Sequence, residues 1–142
     1  MSMEYYAFVP RDALPAGAEW QDAITRLGFP ILLDPGFDPG AASGFCRMSV
    51  DGKNAGCEID TDLDSVAELA KAYPTLDGKA LEGAAVISFR FGGDMLAGAC
   101  AFAAAAALVQ HHRAVFYDPQ EDAVIKDAGT LVSTAREFLS QQ

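Results

Sequence analysis

The sequence predicts an α/β or α+β fold in which helices pack on a mixed β-sheet. Two observations indicate this class. Apolar residues recur at helical spacing in several segments, and these segments alternate with short runs of β-branched and aromatic residues. The chain has 142 residues, 51% of them hydrophobic, which is the size and composition of a single globular domain spanning residues 1–142.

The N-terminal part predicts a strand, a helix, a second strand and a loop. Residues 4–9 are rich in strand formers, and a helix is expected from about 16 to 27. Its apolar stripe consists of four residues at helical spacing: Trp20, Ala23, Ile24 and Leu27. Residues 31–33 predict a short buried strand. Repeated Asp-Pro-Gly turns then indicate an exposed loop at 34–40 with Phe37 at its tip.

A β-hairpin is predicted at 45–60, where apolar and polar residues alternate on either side of the turn residues 51–54. If all four of these residues form the loop, Met48 lies opposite Cys57. If only the first two form the turn, Cys46 lies opposite Cys57. Both registers keep the apolar residues on one face, so the pattern leaves the choice open.

The C-terminal half predicts three helices and three strands. The expected order is a helix from about 64 to 73, a strand at 84–91, a helix from 94 to about 112, strands at 114–117 and 123–126, and a helix from 127 to about 139. Ser65 and Glu68 match a capping box, and Asp94 is a capping residue for the longest helix. That helix is rich in alanine and apolar nearly all round, which predicts the most buried helix of the fold.

The strand–helix–strand unit from 84 to 117 is the first candidate for function. A parallel pair of strands joined by a crossover helix would place both carboxyl ends at one sheet edge, where open α/β sheets bind ligands. Polar and glycine residues follow both strands: Arg90, Gly92, Gly93, Asp94, Asp118 and Gln120. One interpretation is a small polar pocket or partner contact with Arg90 as donor. The other is a tight turn with a helix cap and an Arg90–Asp118 ion pair.

The charge balance predicts the sign of a partner. Ten Lys and Arg residues stand against 20 Asp and Glu residues, so the formal net charge is -10 and the sequence pI is about 4.4. This sign argues against nucleic acid and anionic membranes and favours a basic protein. The acidic run Asp60, Asp62 and Asp64 matches the start of a calcium loop, but Ser65 and Lys71 stand where that loop needs Gly and Glu. Two interpretations of the run remain: a solvated strand end followed by a helix cap, or an acidic patch that binds a basic partner.

No catalytic residue, metal ligand or cofactor is predicted. The cysteines Cys46, Cys57 and Cys100 lack the spacing of a zinc site and are expected to be free thiols, and adjacent His111 and His112 would point apart on a helix. Gly92 and Gly93 match neither phosphate-loop motif. The N-terminus lacks the pattern of a secretory signal, and the longest apolar run, 95–109, is shorter than the ~20 residues of a spanning helix. A cytoplasmic location is expected.

Three segments carry a resemblance to a known family: I-S-F-R-F-G-G-D at 87–94 with the alanine-rich helix that follows, V-F-Y-D-P-Q at 115–120, and the hairpin end Gly56-Cys57-Glu58. The resemblance covers about half of the chain. In these segments the chain resembles small bacterial immunity-type proteins encoded beside polymorphic or type VI secreted toxins. The resemblance implies that a toxin is neutralised in the cytoplasm by tight binding, without catalysis.

Three hypotheses follow. The first is a cytoplasmic protein-binding module, an immunity protein for a basic bacterial toxin, with its contacts at the acidic run and the polar edge. The second is a small-ligand-binding protein or enzyme that uses Arg90, Asp94 and Asp118, which would need a concave pocket there. The third is a structural or oligomeric subunit that makes contact through an apolar patch around Phe37.

Overall fold

The computed structural model describes residues 2–141 and contains seven strands and four α-helices in that range. In chain order these are β1 Met3–Val9, α1 Gly17–Arg26, β2 Ile31–Leu33, β3 Phe45–Val50, β4 Lys53–Asp62, α2 Val66–Ala72, β5 Ala85–Phe91, α3 Met95–His111, β6 Val115–Asp118, β7 Ala123–Ile125 and α4 Ala128–Ser140. Every predicted helix and strand is present, and the fold class of helices packed on a β-sheet is confirmed. None of the described helices has the length and hydrophobicity to cross a bilayer.

The sheet has the order β2-β3-β4-β5-β1-β6-β7, and all neighbouring strands are antiparallel. The prediction that β5 and β6 pair directly as parallel neighbours is wrong. Both run antiparallel to β1, which lies between them, so α3 crosses over one inserted strand. Such an insertion cannot be recognised locally, because β1 comes from the opposite end of the chain.

The two faces of the sheet are covered unequally. Helices α1, α3 and α4 pack on one face, here called the inner face, and bury the main hydrophobic core. The other face, here called the outer face, carries a smaller cluster beneath α2 and the segment 73–84. That cover lies over β1, β5 and β6, and no helix within residues 2–141 lies on the outer face of β2, β3 and the first half of β4.

Helix α3 is the centre of the inner layer, as predicted. Every residue from 97 to 108 is buried, and Asp94 begins the helix by accepting a hydrogen bond from the Leu96 backbone N–H at 2.9 Å. Because most of these side chains are alanine, neighbouring elements approach the helix backbone closely. The buried Trp20 indole donates its Nε1–H to the carbonyl of Ala104 at 2.9 Å, which fixes α1 against α3.

Helix α4 packs closely on α3 at a position where α3 has a glycine. A Cβ atom at Gly98 would lie 2.7 Å from the Phe138 ring, so the absent side chain is what allows that ring to approach. Phe138 also stacks on Phe102, with ring centroids 5.7 Å apart, and meets Phe91 edge to face. A glycine in a helix interior costs about 1 kcal/mol relative to alanine, and this aromatic packing accounts for its place here.

The structure resolves the hairpin register that the sequence left open. Asp51 and Gly52 have φ values of 51° and 81°, the left-handed pair typical of a two-residue type I′ turn. Val50 therefore pairs with Lys53, and Cys46 lies opposite Cys57. The apolar side of the hairpin faces the inner core, as predicted.

A side chain binds the free backbone groups of the edge strand β2. The Gln21 amide donates from Nε2 to the Ile31 carbonyl at 2.9 Å, and its Oε1 accepts from the Leu33 N–H at 2.6 Å. The amide thus satisfies the backbone groups that a neighbouring strand would bind, which protects this edge from pairing with another chain.

Two local predictions are wrong. Phe37 is not an exposed loop tip: it is half-buried, and its ring centroid lies 5.8 Å from that of Trp20. An apolar contact patch around Phe37 is therefore not available, because the ring covers the protein's own core. Ser65 stands at the start of α2, but its side chain makes no capping hydrogen bond.

Replacing Ala104 by Leu is expected to lower the free energy of unfolding by roughly 1–3 kcal/mol, because the position is fully buried and closely packed. The variant Gln110→Leu places the same side chain at an exposed position of α3 and should shift the stability by less than about 0.5 kcal/mol. Urea denaturation followed by circular dichroism measures both. Equal midpoints for Ala104→Leu and the wild type would contradict the central position of α3.

Candidate functional site

Arg90 lies on the outer face, in the middle of three neighbouring strands. Glu4 on β1 and Glu58 on β4 are its direct cross-strand partners, and their carboxylates lie 3.0 and 3.8 Å from its guanidinium. The Glu4 hydrogen bond and the charges of Glu4, Glu58 and Asp60 raise the pKa of Arg90. The guanidinium is therefore already held by the protein's own carboxylates, and Arg90 is not the free donor that the sequence suggested.

The predicted Arg90–Asp118 ion pair does not form. The register places Arg90 opposite Glu4 and Tyr117 opposite Tyr6, so Asp118 follows on the opposite face of the sheet from Arg90. Its Oδ1 instead accepts from the backbone N–H groups of Gln120 and Glu121, at 2.9 and 3.3 Å, and thereby shapes the turn. The insertion of β1 and the alternation of side chains separate the two charges.

The polar edge is thus divided into two places. Arg90 and Asp94 lie on a groove described below, whereas Asp118 and Gln120 belong to the β6–β7 turn. Near that turn, burial and then the charges of Asp118 and Glu121 raise the pKa of Tyr5. The alternative hypothesis required Arg90, Asp94 and Asp118 in one pocket, and that arrangement is not present.

The acidic run lies along the end of β4, where each carboxylate has its own contact. Asp60 Oδ1 accepts from the Gly44 N–H at 3.0 Å, and Asp62 Oδ1 accepts from the Asp64 N–H at 2.8 Å. Asp64 pairs with Arg11 at 3.2 Å. Within residues 2–141 no group of three or more His, Cys, Asp or Glu side chains converges in a way that could hold a metal ion. Asp62 and Asp64 are exposed and Asp60 is half-buried, so the run adds negative charge to the surface at this end of β4.

An open groove of about 890 Å³ lies where β5 leaves the sheet. The pairing of β4 with β5 ends at Glu58 and Arg90, although β4 continues back to Lys53. The projecting β3–β4 hairpin forms one wall, and the turn between β5 and α3 forms the other. The lining residues are Phe45, Arg47, Asn54, Ala55, Gly56, Cys57, Glu58, Arg90, Phe91, Gly92, Asp94 and Ala97.

Phe45 is the most exposed large hydrophobic residue described, with 65% of its surface accessible. Its ring lies over Gly56, since a Cβ atom there would come within 2.9 Å of the Phe45 Cζ and 2.2 Å of the Cys46 carbonyl oxygen. Gly56 also has a φ of +141°, a conformation that L side chains rarely adopt. The ring of Phe45 therefore packs on the backbone at Gly56 and is held in place on the strand while the residue stays exposed.

Sequence reasoning missed both Phe45 and Arg47 as site residues. They share the polar face of β3, and Arg47 is exposed, with no carboxylate of residues 2–141 within ion-pair distance. The signal was present: an aromatic residue stands where the period-two pattern places solvent-facing side chains. The importance of this aromatic residue depends on whether a helix covers the outer face at β3, and only the packing of α2 decides that.

The three cysteines lie behind this groove, in the inner core. Cys46, Cys57 and Cys100 are buried free thiols, as predicted. Burial raises the pKa of Cys46 and of Cys100 to about 12, a Gly56 backbone hydrogen bond opposing it at Cys100, and burial raises the pKa of Cys57 well above its ordinary value. The thiols are therefore neutral packing groups, since the thiolate is the nucleophile and the metal ligand.

The chain matches no family model, and comparisons with curated proteins and with solved structures give no significant match. The resemblance to immunity-type proteins accordingly stays a prediction.

Replacing Gly56 by Ala is expected to lower the free energy of unfolding by roughly 3 kcal/mol, because the new methyl group meets the Cys46 carbonyl and the φ angle becomes strained. Gly93→Ala is the matched control, since nothing lies within 4 Å of its Cβ position. It should stay within about 0.5–1 kcal/mol of the wild type in the same urea titration. Equal losses in the two variants would refute the close approach at Gly56.

Alkylation tests the state of the thiols. In native buffer near neutral pH, iodoacetamide should modify none of the three cysteines at an appreciable rate, whereas three should react in guanidinium chloride. The raised pKa values also predict that stability is fully retained below the ordinary thiol pKa of about 8.5 and is lost as the pH rises towards about 12. Fewer than three reactive thiols after denaturation would contradict the assignment.

Proposed function

We propose that this protein is a binding module that attaches to a basic partner protein through the open part of its outer sheet face. The observation that carries the proposal is Phe45, a strand residue that is 65% exposed and whose ring packs over Gly56. Large aromatic side chains held on rigid elements are the typical anchors of protein interfaces.

Leu32 extends the apolar part of this face. It lies opposite Ser49, on the same side of the sheet as Phe45 and Arg47, and 59% of its surface is exposed. The two hydrophobic side chains flank a polar centre on strands fixed by the hairpin and by the Gln21 closure of β2. An apolar pair with a polar rim matches the general anatomy of non-obligate interfaces.

The charges around this face favour a cationic partner. Glu4, Glu58 and Asp60 surround Arg90 and leave this cluster with a surplus of negative charge. Asp62 and Asp64 continue the negative surface along β4, and the whole chain carries a net charge of -10. Complementary fields of this kind accelerate association and penalise partners of the same sign.

We extend the proposal, on the resemblance, to an immunity-type role. The partner would then be a basic bacterial toxin, and this chain would neutralise it in the cytoplasm by occupying its functional surface. Net charge and an anchored aromatic residue are what such tight, fast binding uses. No chemistry by this chain is part of the proposal.

A small-ligand function is the second candidate, because the groove of about 890 Å³ is concave and contains Arg47 and Asp94. Its openness and the engagement of Arg90 by two carboxylates favour a macromolecular partner over a buried small molecule. A metabolite that co-purifies with the protein and is lost in the variant Arg47→Gln would support this candidate.

The test begins with affinity purification from the native cells, followed by kinetics with the purified partner. Association should slow as the salt concentration rises from about 50 to 500 mM, because added salt shortens the Debye length and screens the attraction between the two proteins. Asp62→Lys should slow association several-fold at low salt, whereas Glu137→Lys, the same charge change on exposed α4, should have a smaller effect. Asp60→Lys with Asp62→Lys should act more strongly, once circular dichroism confirms the fold.

The aromatic anchor is tested in the same assay. Phe45→Ser should weaken binding through faster dissociation, by about tenfold or more, while Val124→Ser on the distant strand β7 should leave it unchanged. A salt-insensitive association rate together with unchanged affinity in Phe45→Ser would refute the proposed surface.

A further inference from the structure

Among the strands of residues 2–141, none pairs with the part of β4 that borders the groove on the side away from β3. β4 spans Lys53–Asp62, but β5 pairs with it only from Glu58 onwards, because β5 ends at Phe91 and the chain turns into α3. Residues 53–57 therefore pair with β3 on one side, and on the other side residues 54–57 line the groove.

The direction of the backbone groups follows from the register. The Ile59 N–H donates to the Gly44 carbonyl, so odd-numbered residues of β4 exchange hydrogen bonds with β3. Asn54 belongs to the alternate, even-numbered set, whose N–H and carbonyl groups point away from β3. Beyond Glu58 these groups bind β5, whereas those of Asn54 are directed into the groove.

The contrast with β2 shows what is missing at this edge. There the Gln21 amide occupies the outward backbone groups of Ile31 and Leu33. Among the hydrogen bonds of residues 2–141, no side chain does the same for Asn54. An edge of five residues, about 17 Å long, is enough for a short added strand.

The groove also has room and a suitable charge. Gly92 lies on the opposite side without a side chain, and the volume of about 890 Å³ accommodates a few extended residues. Four carboxylates and three cationic groups line it or border it, which leaves a surplus of one negative charge: Glu4, Glu58, Asp60, Asp94, Arg47, Lys53 and Arg90. A segment with lysine or arginine complements this surplus.

We infer that residues 53–57 of β4 accept an extended, cationic segment of the partner as an added β-strand. The inference rests on the proposed function and specifies its mode of contact. Backbone hydrogen bonds to Asn54 supply affinity, Phe45 contacts an apolar side chain of the segment, and the carboxylates select positive charge. Gly56 contributes through shape, because it has no side chain and is buried beneath the Phe45 ring.

The probe is a displayed library of random peptides about eight residues long, selected on the full chain. Selection should enrich peptides of net positive charge. In an added strand, alternate amide N–H groups face β4 and the others face solvent. N-methylation of the amides that face β4 should therefore weaken binding of the synthetic peptide by about tenfold or more. N-methylation of the other set should change binding little.

A matched pair of variants tests the protein side. Asn54→Pro removes the N–H that is directed into the groove and that β3 does not use, whereas Asn54→Ala removes only the side chain. Asn54→Pro should weaken the selected peptide by about tenfold, and Asn54→Ala by no more than about twofold. If Asn54→Pro fails to fold by circular dichroism, the N-methylated peptides decide the question.

Several outcomes would overturn the inference. These are failure to enrich any peptide, enrichment of acidic peptides, equal effects of N-methylation in both registers, or full binding to a folded Asn54→Pro variant. A basic partner that still binds with dependence on Phe45 and Asp62 would then leave the proposed function intact and exclude strand addition as its mode. Loss of that dependence would remove the proposed function itself.

Discussion

The packing of α3 against the inner face is the constraint on which the rest of the structure depends. Its alanine-rich surface lets α1 and the sheet approach its backbone, where Trp20 reaches the Ala104 carbonyl, and Gly98 lets α4 settle through Phe138. These contacts gather three of the four helices on one face. The outer face is left with α2 and the segment after it, which cover only the strands around β1.

The open surface is therefore a consequence of how the core is built. Its polar centre is a cross-strand ladder in which Arg90 lies between Glu4 and Glu58, and Tyr6 donates to Glu4 at 2.6 Å. This ladder neutralises the arginine internally and leaves the surrounding carboxylates to determine the sign of the surface. The groove beside it exists because α3 has to begin where β5 ends, which draws β5 away from β4.

Gly56 links the core to this surface. On the inner side its backbone opposes the rise of the Cys100 pKa, and on the outer side the Phe45 ring covers the place of its missing side chain. The neutral thiols thus lie on one side of the sheet at Gly56, and the exposed Phe45 lies on the other. A substitution at Gly56 would disturb core packing and the binding surface together, whereas a substitution at Phe45 changes only the surface.

Local chemistry was sufficient for much of the fold. Helical spacing predicted the stripe of α1, the Asp94 cap and apolar composition predicted buried α3, and residues 51–54 predicted a hairpin without its register. Each of these depends on residues close together in the chain. The site was only partly predictable: Arg90 and Asp94 do border the groove, but Asp118 lies on the other face. That separation arises because β1, from the start of the chain, inserts between β5 and β6.

By itself the sequence determined the elements, the buried faces and the charge. The tertiary structure alone decided which strands are neighbours and which face stays open, since both depend on contacts between distant segments.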